Sequence, residues 1–148
     1  MVAPAEALPF PDDTFDFAYT INVLHHITDG TAFNKALREI VRVLTPGAPL
    51  IVFEMNTLNP LFRFYLSYIF PFIHNIDDGT ETWLHPRDWP AVSGARWSEQ
   101  MDFITFIPDF LPKRLIFALG KLEQRLERSK LKSFSAHFAA TLVKDSTN

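Results

Sequence analysis

Residues 15–56 read FDFAYTINVLHHITDGTAFNKALREIVRVLTPGAPLIVFEMN, and their patterning decides the fold. Phe15–Val23 is a short, mostly apolar run. Its length and aromatic content predict a buried strand rather than a helix. Thr28, Asp29, Gly30 and Thr31 form a cluster suited to capping a helix. Phe33, Leu37, Ile40, Val41 and Leu44 then recur on one helical face, with Lys35, Arg38, Glu39 and Arg42 off it. Pro46-Gly47 ends that helix, and Pro49–Met55 is a second apolar run of strand length. Strand, helix and strand at this spacing make a βαβ unit. Short connections and strands apolar on both faces predict a parallel sheet, joined by a right-handed crossover.

Outward from that unit the patterns are less regular. Ala3–Asp13 is turn-rich, with Pro4, Pro9 and Pro11 followed by two acids. Leu58–Ile73 is aromatic-rich but shorter than the ~20 residues a membrane span needs, and Pro60, Arg63 and Pro71 interrupt it. A buried or cleft-lining helix is the expectation. Asn75–Thr82 reads as a polar loop, Pro86–Val92 as the start of a short helix and Gln100–Ile107 as a strand. Leu115, Leu119, Leu122 and Leu126 lie at helical spacing, predicting an amphipathic helix over Pro112–Lys130. Phe134–Val143 reads as a last strand. The pattern leaves open in which direction the last two strands pair.

A chain of 148 residues suits one domain. No internal repeat or low-complexity tract is present. With no cysteine, disulfides, zinc-thiolate sites, iron–sulfur clusters and cysteine nucleophiles are excluded. That composition fits a reducing compartment, and Met1–Phe10 carries no Lys or Arg for a signal-peptide n-region; a cytoplasmic location is expected. The net charge of −3 conceals an asymmetry. Pro112–Lys132 holds seven Lys or Arg against Glu123 and Glu127, a local +5. An acidic chain with one basic segment argues against a nucleic-acid partner and for contact between 112–132 and an anionic membrane surface.

Ala5–Ile27 (AEALPFPDDTFDFAYTINVLHHI) and Ala36–Asn56 (ALREIVRVLTPGAPLIVFEMN) carry a more specific signal. Taken together they resemble the middle of a class I S-adenosylmethionine-dependent methyltransferase of the type 11 group. The L-P-F-x-D-x-x-F-D, V-L-x-H and E-x-x-R-V-L-x-P-G elements stand in the family's order. The resemblance implies an α/β fold: a partial Rossmann-like sheet with flanking helices, comprising the family's strands four to seven. Phe15–Asn22 would be strand four, Pro49–Met55 strand five, Gln100–Ile107 strand six and Phe134–Val143 strand seven. The last would run antiparallel between five and six. Residues 1–148 then form a single, N-terminally truncated domain, with 1–56 on the cofactor side and 57–148 on the variable acceptor side.

The departures are equally specific. Gly30, Gly47, Gly79, Gly94 and Gly120 all lie at least 15 residues apart, so no G-x-G cofactor loop exists. The acid that grips the cofactor ribose has no counterpart. Pro4 stands where the family has an Asp. Ala48 replaces the second Gly of P-G-G, which would be costly if that position needs φ > 0.

By this resemblance the cofactor is S-adenosylmethionine, with Ala5 and Glu6 beside its adenine and Asn22 and Val23 beside its methionine end. Ligands of open α/β sheets gather at carboxyl ends of strands. His26 is the candidate proton acceptor during methyl transfer; the alternative is that it orders the following loop. His25, Glu54, Tyr65 and Tyr68 are candidate acceptor contacts. For the aromatic residues, ordinary core packing is the competing expectation. Asp16 is expected to bind backbone N–H groups. No histidine spacing suggests a metal. The expected activity is methyl transfer to a small lipophilic or glycosidic acceptor, with this chain incompetent alone. The alternative is a non-catalytic remnant or a half domain completed by a partner. An exposed edge on Phe15–Asn22 would invite self-association.

Overall fold

The computed structural model describes residues 2–69, 82–86, 89–107 and 112–146. Five strands and three helices follow in the order β1 (Ala18–Ile21), α1 (Gly30–Val43), β2 (Pro49–Met55), α2 (Pro60–Tyr68), β3 (Ala95–Trp97), β4 (Asp102–Ile104), α3 (Lys113–Glu127) and β5 (His137–Lys144). Single 3₁₀ turns stand at Leu24–His26 and Lys130–Phe134. The expected loop over residues 75–81, and the aromatic run beyond Ile69, lie outside the described residues.

The βαβ unit forms as its pattern predicts. β1 runs parallel to β2, with Ala18 opposite Leu50 and Ile21 opposite Phe53. β1 is shorter than expected because Phe15 leaves the ladder: its N–H donates to the Val43 carbonyl and it bridges Leu44 instead. Asp29 caps α1, accepting from the N–H groups of Thr31 (2.6 Å) and Ala32 (3.2 Å). Those two bonds hold its carboxyl below the ordinary range. The apolar face of α1, with Leu37 fully buried, meets Leu50, Val52 and Leu142 of the sheet in one core. Each fully buried aliphatic side chain there contributes roughly 1.5–3 kcal/mol. In the Pro46–Pro49 turn only Gly47 takes positive φ (+81°), so Ala48 is buried without strain.

β5 is the central strand. It lies antiparallel to β2, Pro49 facing Val143 and Met55 facing His137. Its other edge corrects the expected sixth strand. Of the expected strand over Gln100–Ile107 only β4 (Asp102–Ile104) forms, and a strand that the sequence reading did not expect, β3, pairs with the next part of β5. β3 takes Leu142–Lys144 and β4 takes His137–Ala139. Between them Ser98 donates its N–H to Thr141 (2.7 Å), and its hydroxyl turns back to the Gln100 N–H. That local turn separates β3 from β4. The expected helix start at Pro86–Val92 falls in part, at residues 87–88, outside the described residues; those described there form no helix. The Trp89 and Trp97 indoles stack there and donate to the carbonyls of Pro86 and Pro90.

Two polar clamps join distant segments. Asn56 and Asn59 are fully buried at the end of β2. The Asn56 amide donates to the Ser133 and Ser135 carbonyls, and its oxygen accepts from the Leu58 N–H. The Asn59 amide donates to the Phe106 and Phe134 carbonyls, while its oxygen caps α2 at the Phe62 N–H. The second clamp is Arg42 on α1. It forks onto Glu39 through two 2.9 Å bonds and reaches the carbonyls of Leu8 and Phe10 and the Asp12 carboxylate. Glu39 also accepts the Leu8 N–H. The Arg42 guanidinium and that N–H hold the Glu39 carboxyl far down, to about 2.

Two faces stay open. The outward residues of β1, Phe17, Tyr19 and Ile21, are about half exposed or more, and β2 is the only strand beside β1 among the described residues. α3 forms where its leucine spacing places it, yet none of its residues is buried.

Truncating Asn59 to Ala removes a helix cap, worth ~1 kcal/mol, and strands the part-buried carbonyls of Phe106 and Phe134. Thermal or urea denaturation should register a loss of about 2–4 kcal/mol, whereas Asn34→Ala, half-buried on α1, should cost under ~1 kcal/mol. The depressed carboxyl of Glu39 stabilises the fold above its ordinary value of 4.5, and that contribution is lost as pH falls towards about 2. Glu39→Gln should therefore flatten the fall of Tm with pH across that window; an unchanged acid limb would contradict the assignment.

Candidate active site

β1 and β2 run parallel, so their carboxyl ends emerge together, at Asn22 and at Glu54–Met55. Asn22 leaves the ladder with φ +50°, a left-handed conformation that Asn tolerates better than most residues. Its N–H still donates to the Phe53 carbonyl (2.9 Å). Its side-chain Oδ1 is buried with no hydrogen-bond partner. Buried polar atoms rarely stay unpaired in folded proteins, so this oxygen is an acceptor without a donor at the head of the strand.

The next three residues turn around one carboxylate. Glu54 is 1% exposed. Its Oε1 accepts the N–H groups of Val23 (3.1 Å) and Leu24 (2.9 Å), and its Oε2 lies 2.6 Å from Nδ1 of His25. An ionised carboxylate only accepts, so the hydrogen of that short contact sits on the His25 nitrogen. His25 is itself buried, and the pair satisfies the condition under which a buried charge is tolerated. Sequence reasoning expected Glu54 to face the cleft; its carboxylate instead braces residues 23–25.

His25 begins an aromatic chain. Its ring lies 4.1 Å from that of exposed His26 and stacks on Trp83 at 5.2 Å. Trp83 meets Phe62 edge-on at 5.6 Å, and Phe62 stacks on Tyr65 at 6.3 Å. Thr82 ties this segment down by donating its N–H to the His25 carbonyl. Asn22, Val23, His25, His26, Glu54 and, through Trp83 and Phe62, Tyr65 therefore share one neighbourhood. Tyr68 stands apart, 66% exposed and packed on Phe64. Ala5 and Glu6 sit half-buried in the turn closed by the Pro4 carbonyl and the Ala7 N–H, next to the Leu8 anchor. No bond joins them to the histidines. Asp16 accepts the Thr45 hydroxyl (2.9 Å) rather than backbone N–H groups.

The reading of the sequence missed Trp83 because nothing in its spacing marks it; it earns its place by stacking. A cavity of about 400 Å³ also opens past the end of β2, between Leu58, Met101, Phe103, Glu99 and Lys132. Neither Tyr65 nor Tyr68 lines it. Among the described residues no three His, Asp or Glu converge as a metal site, and no helix is long and apolar enough to cross a membrane.

Residues 1–52 match the methyltransferase domain family. The chain is similar to the ubiquinone/menaquinone biosynthesis C-methyltransferase UbiE of Pasteurella multocida, 44% identical over 78 residues. That match covers 51% of this chain and 28% of the relative. The Escherichia coli UbiE is 46% identical over 70 residues, 46% of this chain and 27% of the relative. The matched stretch thus spans under a third of either relative's length. Three solved structures share the fold. A chain of the complex between the Haloferax volcanii Trm112 methyltransferase activator and a methyltransferase superposes with TM-score 0.58 at 18% identity, covering all of this chain and 61% of that one. A Thermotoga maritima SAM-dependent methyltransferase gives 0.54 at 17% identity, over 95% of this chain and 61% of that one. The [4+2]-cyclase SpnF gives 0.53 at 16% identity, over 99% and 56%.

Glu54→Gln separates bracing from charge. The amide oxygen still serves Val23 and Leu24, but its NH₂ then faces His25, whose Nδ1 must become an acceptor. Nitrogen chemical shifts of labelled His25 should report its hydrogen moved to Nε2. Retention on Nδ1 would disprove the assignment. Glu54→Ala, leaving three donors unpaired, should cost about 3–5 kcal/mol by denaturation.

Proposed function

We propose, from the match of residues 1–52 to the methyltransferase domain family, that this chain supplies the strand-four side of a site that moves a methyl group from S-adenosylmethionine to a small lipophilic acceptor. The observation that carries the reading is the unpartnered Asn22 oxygen at the carboxyl end of β1, beside the turn that Glu54 braces. The methionine end of the cofactor bears an ammonium group, a donor of the kind that oxygen lacks, so the residues present fit it. Val23 stands next in line. When bound, S-adenosylmethionine supplies an electrophilic methyl on sulfur. His26, exposed and packed at a tilt against His25, takes the proton that the acceptor loses. Glu54 and His25 act as positioning residues for it. Tyr65 and Tyr68 offer apolar walls on the acceptor side, and Ala5 and Glu6 flank the adenine.

The likeness to C-methyltransferases of quinone biosynthesis supports a ring carbon as the acceptor atom and a lipophilic quinone precursor as the acceptor. A cysteine-free chain suits the cytoplasm.

A second reading, the partner-completed half domain, draws on the open outer face and edge of β1. Without a glycine loop the chain lacks several cofactor hydrogen bonds. Two or three of them amount to about 3 kcal/mol, or about a hundredfold in affinity. Such an apolar edge also favours self-association.

Calorimetric titration and a chimera test both readings. The chain alone should not bind S-adenosylmethionine at micromolar concentration; stoichiometric binding by a stable monomer would remove the half-domain reading. Joined to the N-terminal part of the Pasteurella multocida relative, it should transfer methyl groups, and His26→Ala should lower kcat about 10²-fold. Unchanged kinetics in both His26→Ala and Asn22→Ala chimeras would refute the site.

A further inference from the structure

α3 makes an unusual choice of which charges to turn inward. At 3.6 residues per turn, Glu123 and Glu127 share the side of the helix that faces the sheet. There Glu127 Oε1 accepts the Thr105 N–H (3.0 Å) and Glu123 Oε1 the Ile107 N–H (3.3 Å). Both acids are thereby committed to the protein. All seven cations between Lys113 and Lys132 are exposed, and none forms an ion pair among the described residues. The apolar side chains are not committed either. Phe117 is 90% exposed, Leu115 and Leu122 nearly half, and Leu131 and Phe134 of the adjoining 3₁₀ turn similarly. Projected around the helix, Arg114, Lys121, Arg125 and Arg128 occupy one arc, with Leu115 and Leu122 at one border and Phe117 at the other.

We propose that the Lys113–Phe134 segment docks on an anionic lipid bilayer. The facing chemistry must be anionic, because the segment presents cations while its acids are held inward. It must also accept apolar side chains. A headgroup layer over acyl chains does both: leucine and phenylalanine enter its boundary while Lys and Arg stay at phosphate level. A nucleic-acid backbone offers the charge but nothing for Leu115, Leu122 and Phe117, and the rest of the chain is acidic. The inference is independent of methyl transfer, since it concerns binding by α3 and not chemistry at β1.

The test is co-sedimentation of the 148-residue chain with vesicles of phosphatidylcholine, alone or mixed with phosphatidylserine. Binding should require phosphatidylserine and should be strong at about 0.01 M salt, where charges act over ~30 Å, and weak at about 1 M, where they act over ~3 Å. The double variant Lys121→Glu, Arg125→Glu, at fully exposed positions, should lose at least about tenfold in partitioning. Phe117→Ser should lose severalfold. Tyr19→Ser, on the open face of β1, should bind as the parent does. Equal binding to both vesicle types, or none to either, overturns the proposal. So does binding that survives the double variant but not Tyr19→Ser, which would assign the contact to the sheet. Tighter binding to duplex DNA than to phosphatidylserine vesicles would overturn it in favour of nucleic acid. Each readout is mass bound, so failure here leaves the methyl-transfer reading standing.

Discussion

The carboxylate of Glu54 is the constraint on which the end of the sheet depends. It is buried, and a buried carboxylate must be surrounded by donors or remain costly. Val23, Leu24 and His25 provide those donors, and the Leu24 side chain enters the core beside them. The turn that results sets the His25 ring, and that ring sets His26 on one side and Trp83 on the other. His26 and Trp83 are therefore placed, through His25, by one buried carboxylate.

The same economy explains the motif elements that made the sequence recognisable. L-P-F-x-D and E-x-x-R lie about 30 residues apart, and nothing in their composition says that they meet. Arg42 joins them: its guanidinium spans the Glu39 carboxylate, two opening-loop carbonyls and Asp12. A planar fork of donors is suited to such divergent acceptors, and a lysine could not reproduce it. The motif is thus the written trace of a clamp that fixes the opening loop on the back of α1.

Legibility followed how local the determining physics is. β2 was readable to the residue and α1 nearly so, because an apolar period and a capping Asp are properties of a few adjacent positions. The antiparallel last strand came only through the family resemblance. β1 was read too long, since the departure of Phe15 is decided by its bridge to Leu44. The sixth strand was read too long and β3 was not read at all, because the pairing of these short segments depends on where β5 lies. Of the candidate site, Asn22, Val23, His25 and His26 were visible as residues at a strand end. Glu54 was visible as a residue but not as a brace, and Trp83, Asn56 and Asn59 were not visible as partners at all. Their roles are set by contacts with chain segments that no local pattern encodes.

The position of β5 has a temporal meaning. It is the middle strand of the sheet, yet it is built from residues 137–144, and its partner β2 ends at Met55. The Asn56 and Asn59 clamps likewise close onto carbonyls 47–79 residues further along. Contacts of such separation form slowly, because a long loop must be ordered before any of them is made. On a ribosome the βαβ unit can condense early, but one whole edge of β2 waits, unpaired, until residue 144 has emerged. The nascent chain therefore carries an apolar, strand-shaped vacancy while residues 56–136 are made, and that interval, more than the finished fold, is when it most needs protection from its neighbours.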